Sequence, residues 1–408
     1  MSCLILYAFS PDYHIIYGIL AAILSGFVSY KSYPKIIEIS KIKSLMDKPN
    51  HRSVHKTATP NLGGIGIFLS LVVALTLLGS VFHYNHLLCF IGALVILFFT
   101  GLKDDLIEIK PISKLLGQII AALAIIFITD LRVTSFYGFL GIEQISYFAS
   151  IIFTVFVFIA VINAFNLIDG VDGLAAGIGI TTSAILAVYF FLNYNDSMFF
   201  VSLSLIGALI SFLFFNFSKD RKIFMGDTGS LIVGFTLAYQ AISFIKVSHL
   251  PESKIAMANA PILALAIFIF PIIDTLRVFI IRLRKGQSPF TADKNHLHHL
   301  LINLGLAHWQ IALIATVFTI FTTVIVAKTS SIGIHTAFFM LVVLSAGFVS
   351  ILSFSVKRKS IKSDPHYFLK ANTAYNKPYR LKGIVNYVLS LFMSLILCIS
   401  IFMILQAL

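Results

Sequence analysis

Apolar runs long enough to cross a membrane recur along this chain, and they restrict its fold more than any other feature. A helix needs ~20 mainly apolar residues to span the hydrocarbon core, where only a helix or a closed barrel satisfies every backbone N–H and C=O. Such runs stand at Ile15–Ser29, Gly64–Phe82, Leu87–Thr100, Ile112–Ile128, Ile145–Val161, Leu174–Leu192, Met198–Phe215, Leu231–Ile245, Ala256–Ile281, Ile311–Ala327, Ile332–Ser355 and Ile384–Leu405. A transmembrane barrel would show alternating segments of ~10 residues instead. The sequence therefore predicts an all-α integral membrane protein, a polytopic bundle of about 11–12 transmembrane helices. With 58% hydrophobic and 12% charged residues among 408, little is left for a soluble domain.

Basic residues orient the bundle. Loops after odd-numbered runs carry 26 of the 30 Lys and Arg, leaving Arg132, Lys246, Lys254 and Lys328 for the other side. The positive-inside rule makes the odd loops cytoplasmic and both termini external. The net charge of +13 then follows from topology, with anionic membrane lipids as partners and no nucleic acid required. The opening "MSCLILYAFSPDYH" lacks a basic leader, so the first run is expected to remain as a span. Cys3, Cys89 and Cys398 have no metal-ligand spacing. Residues 1–356 read as the membrane domain, 357–382 as a basic cytoplasmic linker and 383–408 as one additional span.

The cytoplasmic loops also hold most of the acids. In "TGLKDDLIEIKPISK", adjacent Asp104 and Asp105 repel each other and need a cation, a basic partner or a helix end. The bland alternative is a cap on the helix opening near Ile112. In "NLIDGVDGLAAG", Asp169 and Asp172 are spaced i, i+3 between glycines; a capped turn would use one of them but not both. In "KIFMGDTGSLIVG", Asp227 opens another helix, where capping is again a serious rival. Three such loops on one face, beside lysines and arginines, suit Mg²⁺ and a phosphorylated substrate. Arg282 and Lys285 are followed by His296, His298 and His299. His296 and His299 share a helical face as a zinc pair would, yet no Cys accompanies them and carboxylates favour a hard ion. Hydrogen bonding to phosphate, or acid–base work, is the stronger reading.

"DKPNHRSVHKTATPNLGG" (Asp47 to Gly64), "GLKDDL", "NAFNLIDGVDGLAAG", "FMGDTGSL" and "RKGQSPFTADKNHLHHLL" stand in that order over Asp47 to Leu306. Together they resemble the polyprenyl-phosphate N-acetylhexosamine-1-phosphate transferases. The resemblance implies transfer of a sugar 1-phosphate from a UDP-sugar to undecaprenyl phosphate, with release of UMP and with Mg²⁺ or Mn²⁺ as cofactor. It implies a multi-pass enzyme of the bacterial inner membrane, its site on the cytoplasmic face. The first and last motifs resemble the branch that uses UDP-N-acetylglucosamine to begin O-antigen, capsule, exopolysaccharide or teichoic acid. They resemble the peptidoglycan branch less, since its triple-His run is His-Leu-His-His here.

By the same resemblance, Asp104 or Asp105 deprotonates or orients the acceptor phosphate. Asp227 binds the metal, with Asp104 and Asp169 as further ligands, and Asp169 and Asp172 shape the metal and nucleotide site. Phe224 matches the position that stacks on uracil, and Asn163 and Asn166 bind the nucleotide or brace the acidic loop. Arg282, His296, His298 and His299 neutralise pyrophosphate and the departing UMP. Asp47, Arg52 and His55 match the first loop motif and are placed with substrate binding. Another donor, such as UDP-N-acetylgalactosamine, a diamino sugar or the peptidoglycan precursor, is the runner-up, and a homodimer is left open. A secondary transporter would carry its ionisable groups near mid-membrane, and a scaffold would have no use for an acidic face.

Overall fold

The computed structural model describes residues 11–47, 58–284, 286 and 296–362. Arg52, His55 and Lys285, the chain beyond Lys362, and with it the run Ile384–Leu405, lie outside the described residues. Among those described, ten helices are long and apolar enough to cross a membrane, or eleven if one bent pair is counted as a single span. In chain order the helices are α1 (Pro11–Ile42), α2 (Gly63–Phe82), α3 (Asn85–Ile107), α4 (Pro111–Thr129), α5 (Tyr147–Ile168) and α6 (Leu174–Leu192). They continue as α7 (Asp196–Asn216), α8 (Gly226–Ser248), α9 (Ala260–Ile267), α10 (Ile269–Arg284), α11 (Leu297–Asn303), α12 (His308–Lys328) and α13 (Ile334–Lys362). Two-residue strands, β1 (Met46–Asp47) and β2 (Thr59–Pro60), form an antiparallel clip between α1 and α2.

The expected single run Ala256–Ile281 is the bent pair: α9 and α10 meet at 77°. Pro271 lies in the first turn of α10. Having no N–H, it cannot continue the hydrogen-bond ladder of α9. Elsewhere the helices outrun the apolar runs. Helix α3 continues to Ile107 and α5 to Ile168, so Asp104, Asp105, Asn163 and Asn166 sit on final helical turns rather than in loops. Helix α4 has Lys110 at its N-cap with no side-chain bond, so neither acid caps it.

Nearly every residue of α8 is buried, and α2, α3, α5, α6, α7 and α9 pack around it. Without a hydrophobic drive inside lipid, such packing depends on small residues that let backbones touch. A Cβ on Gly64 would fall 2.1 Å from the Gly229 nitrogen, and one on Gly101 2.5 Å from Thr228 Cα. These approaches press the start of α2 and the end of α3 against the start of α8. Up-and-down alternation then gathers the ends of α3, α5, α7 and α10 and the starts of α4, α6 and α12 at that same end. Arg132, Lys246, Lys254 and Lys328 lie at the other, where the Lys246 ammonium donates to the Asp130 carbonyl at 3.1 Å. Large exposed apolar side chains such as Ile23, Phe99, Phe148 and Phe354 face outward, as lipid requires.

Candidate active site

The acidic end is organised around the first turn of α8. Asp105 Oδ1 accepts the Asp227 N–H at 2.8 Å, and its Oδ2 accepts the Thr228 N–H at 2.9 Å and hydroxyl at 2.6 Å. Asp105 is thus a cap, but on a helix more than 100 residues further along the chain. There its charge meets the positive end of the helix dipole. Gly226 has φ +73°, and a Cβ on it would lie 2.0 Å from the Asn61 carbonyl oxygen and 2.8 Å from Asp105 Oδ1. Only glycine fits.

Because Asp105 serves the helix end, the Asp227 side chain is released for other partners. Its Oδ1 accepts from Asn166 Nδ2 at 2.6 Å and from the Lys114 ammonium. Asn166 also donates to Ser230 Oγ at 2.7 Å. The Lys114 ammonium lies 3.1 Å from Asp104 Oδ2 as well, so one cation bridges Asp104 and Asp227. Asn163 turns the other way and pairs with Gln118 at 2.8 Å, tying α5 to α4.

The turn between α5 and α6 carries the other two acids. Asp169 is held well above the usual carboxylate range, first by burial and then by repulsion from Asp227, Asp105 and Asp172. Among the described residues it has no hydrogen-bond partner for its side chain. Burial also works against charge on Asp172, but bonds from His308 Nδ1 at 2.7 Å and Lys222 Nζ at 2.6 Å outweigh it and hold that carboxyl below its ordinary value. Gly173, at φ +77°, donates its N–H to Asn216 Oδ1 at 2.7 Å. Phe224 is half-buried with Lys222 Nζ 5.2 Å from its ring centre. Its backbone is clipped to the first motif: its N–H donates to the Pro60 carbonyl at 2.8 Å and its carbonyl accepts from Gly63 at 2.9 Å.

The histidine segment closes the third side. His296 precedes α11 and its Nδ1 lies 2.9 Å from Asp274 Oδ2; His298 Nδ1 lies 3.3 Å from the same oxygen. The Leu297 N–H donates to Asp274 Oδ1. Nε2 of His298 would sit 3.3 Å from a Cβ on Gly170, so its ring abuts the Asp169 turn. The His299 ring is 4.6 Å from that of His298, and Arg282 is buried on α10. Of the first motif, Asp47 pairs with Thr59 in the two-residue ladder.

The structure thus brings Asp104, Asp105, Asp169, Asp172 and Asp227 to one end with Asn166, Phe224 and the histidines, while Asn163 takes a bracing place. It adds Lys114, Gln118, Lys222, Asp274 and His308, which reasoning on motifs missed. Asp274 had a signal, a lone acid within the apolar run "PIIDTLRV"; His308 had none. Among the described residues the group whose donor atoms all lie within 4.8 Å of one another, and which is thus compatible with a metal ion, is Asp274, His296 and His298.

Residues 87–245 match the glycosyl transferase family 4. The chain is 30% identical to the decaprenyl-phosphate N-acetylglucosaminephosphotransferase of Mycobacterium tuberculosis (strain ATCC 25618 / H37Rv) over 320 residues, 72% of this chain and 78% of the relative. It is 29% identical over 285 residues to the undecaprenyl-phosphate alpha-N-acetylglucosaminyl 1-phosphate transferase of Escherichia coli (strain K12), covering 68% of this chain and 75% of the relative. The matched stretch begins in α3 and ends in α8, so it holds Asp104, Asp105, Asp169, Asp172 and Asp227. The chain therefore belongs to glycosyl transferase family 4, among the polyprenyl-phosphate N-acetylglucosamine-1-phosphate transferases.

Proposed function

We propose that the protein transfers N-acetylglucosamine 1-phosphate from UDP-N-acetylglucosamine to undecaprenyl phosphate and releases UMP. The step would begin a lipid-linked cell-surface polysaccharide at the cytoplasmic face of a bacterial inner membrane. The observation that carries this is the Lys114 ammonium bridging Asp104 and Asp227, with Asp169 close enough to Asp227 and Asp105 to be destabilised by their charge. The names of the relatives give the polyprenyl-phosphate acceptor and the N-acetylglucosamine phosphate group that is moved, and the resemblance of the motifs gives the UDP carrier. A bond forms between an acceptor phosphate oxygen and the β-phosphorus of the donor, and the bond from that phosphorus to the bridging oxygen breaks, leaving with UMP.

A hard divalent ion fits this site. All three carboxylates offer oxygen, Lys114 already occupies a cation position between two of them, and Asp169 is destabilised by its charged neighbours. Asp227, Asp104 and Asp169 would hold Mg²⁺ or Mn²⁺, which supplies neutralisation of charge on the transferring phosphate. The chain's own groups do the rest. Asp104 orients the acceptor phosphate and takes its proton, and Asp105 pins the first turn of α8. Asp172 keeps the turn bearing Asp169 in place through Lys222 and His308. Phe224 offers a ring for uracil, and Asn166 fixes Asp227. Arg282, His296, His298 and His299 face the pyrophosphate and the leaving UMP as basic clamps do in phosphoryl transfer.

Purified protein with undecaprenyl phosphate and UDP-N-acetylglucosamine should release UMP and form a lipid-linked sugar phosphate. No UMP from any of a panel of UDP-sugars would refute the activity, and UMP from another sugar alone would reassign the donor. The orientation rests on the 26 basic residues of the acidic side. Single cysteines beside Asp104, Asp169 or His298 should resist membrane-impermeant thiol reagents in intact cells and react after permeabilisation. Labelling from outside would reverse the topology.

A further inference from the structure

Asp274 is 0% exposed and follows the apolar start of α10, Ile269 to Ile273. A buried carboxylate is costly unless paired and hydrogen-bonded, so its partners explain why it is tolerated. Among the described residues they come from the start of the histidine segment: the Leu297 N–H on one oxygen, and His296 and His298 at 2.9 and 3.3 Å on the other. A carboxylate only accepts, so a ring edge that faces it must carry its proton on Nδ1, and Nε2 is left to face elsewhere. For His298, 2% exposed, that second edge meets the Asp169–Gly170 turn, 3.3 Å from where a Gly170 Cβ would stand. The Nδ1 contact of His298 is close without being an aligned hydrogen bond, as expected where two rings share one oxygen.

We propose that Asp274 is a positioning residue: it holds His296 and His298 by their Nδ1 edges and so aims Nε2 of His298 at the substrate phosphates over the Asp169–Gly170 turn. This rests on the transferase activity proposed above. Asp274 touches no reacting atom; it selects the ring tautomer and the seat of the segment on α10. An Asn in its place keeps an acceptor for the Leu297 N–H, but its amide can turn a donor toward an imidazole and favour the wrong tautomer.

The test uses the full-length purified protein and compares wild type, Asp274→Asn, Asp274→Glu, His298→Gln and the double variants that join each Asp274 change to His298→Gln. UMP release is followed against donor concentration, with Tm and elemental analysis of bound metals. Asp274→Asn should lower kcat on the order of 10²-fold with little change in KM for the donor or in Tm, and Asp274→Glu should recover part of the rate. In the His298→Gln background each Asp274 change should cost much less than it does alone, because aiming a ring that is absent has no effect and only the seat of His296 remains to be lost. Should Asp274→Asn fail to fold, the Asp274→Glu pair carries the same comparison. Additive losses, or rates that fall only in step with Tm, would overturn the assignment. So would one equivalent of tightly bound transition metal that Asp274→Asn loses, since Asp274, His296 and His298 would then be its ligands. A wild-type protein that releases no UMP refutes the activity itself, whereas an active wild type with additive variants refutes only the role of Asp274.

Discussion

Asp227→Asn protein is expected to fold, insert and release UMP at least about 10³-fold more slowly than wild type. The side chain is not a cap: the helix end is held by Asp105, which bonds the Asp227 backbone N–H whatever side chain follows it. The Asn oxygen can still accept from Asn166 Nδ2 and from the Lys114 ammonium, so the local network survives. What disappears is one negative charge among acids that already crowd Asp169, and an amide is a poor ligand for a hard cation. Wild-type activity should correspondingly vanish in EDTA and return with Mg²⁺ or Mn²⁺. Undiminished turnover in EDTA, or a strict need for zinc, would show that the carboxylates do not serve a hard ion.

The adjacent acids should part company when each is changed to Asn. Asp104 accepts the Ile109 N–H at 2.9 Å and the Lys114 ammonium at 3.1 Å. Asn can keep the first bond, so Asp104→Asn should hold its Tm and lose about 10²–10⁴-fold in UMP release, the range for a lost general base. Asp105 differs because both of its oxygens accept, with three donors from the start of α8. An amide nitrogen there faces donors it cannot satisfy, so Asp105→Asn should cost about 1–3 kcal/mol of stability as well as activity. Thermal unfolding and UMP release per correctly inserted protein separate the two. Equal stability in both variants would contradict the cap on α8, and near wild-type turnover of Asp104→Asn would move the catalytic base to Asp169, Asp172 or His298.

The helical crossings were legible because lipid imposes a local rule: each backbone group must be satisfied within its own helix, which writes ~20-residue apolar runs into the chain. The exceptions follow from equally local facts read too coarsely. Pro271 breaks the span from Ala256 to Ile281 into α9 and α10 at 77°. The last turns of α3 and α5 continue into polar sequence because packing against α8, not lipid, holds them there.

Motifs made Asp104, Asp105, Asp169, Asp172, Asp227 and the histidines visible as chemistry, since acids and glycines in short loops stand out against an apolar background. They did not assign partners. A cap was weighed for Asp105 on the helix that follows it, whereas it caps one whose first residue is more than a hundred positions away. Lys114 looked like one more basic residue, and Asp274 and His308 fell outside every motif. The sequence by itself determined that this chain crosses a membrane many times and gathers most of its acids and most of its bases in one set of loops, because hydropathy and charge act residue by residue. Only the tertiary structure decided which acid caps, which shares a lysine, which has no side-chain partner among the described residues and which seats the histidines. Those roles depend on distances between helices that glycines at positions 64, 101 and 226 allow to close.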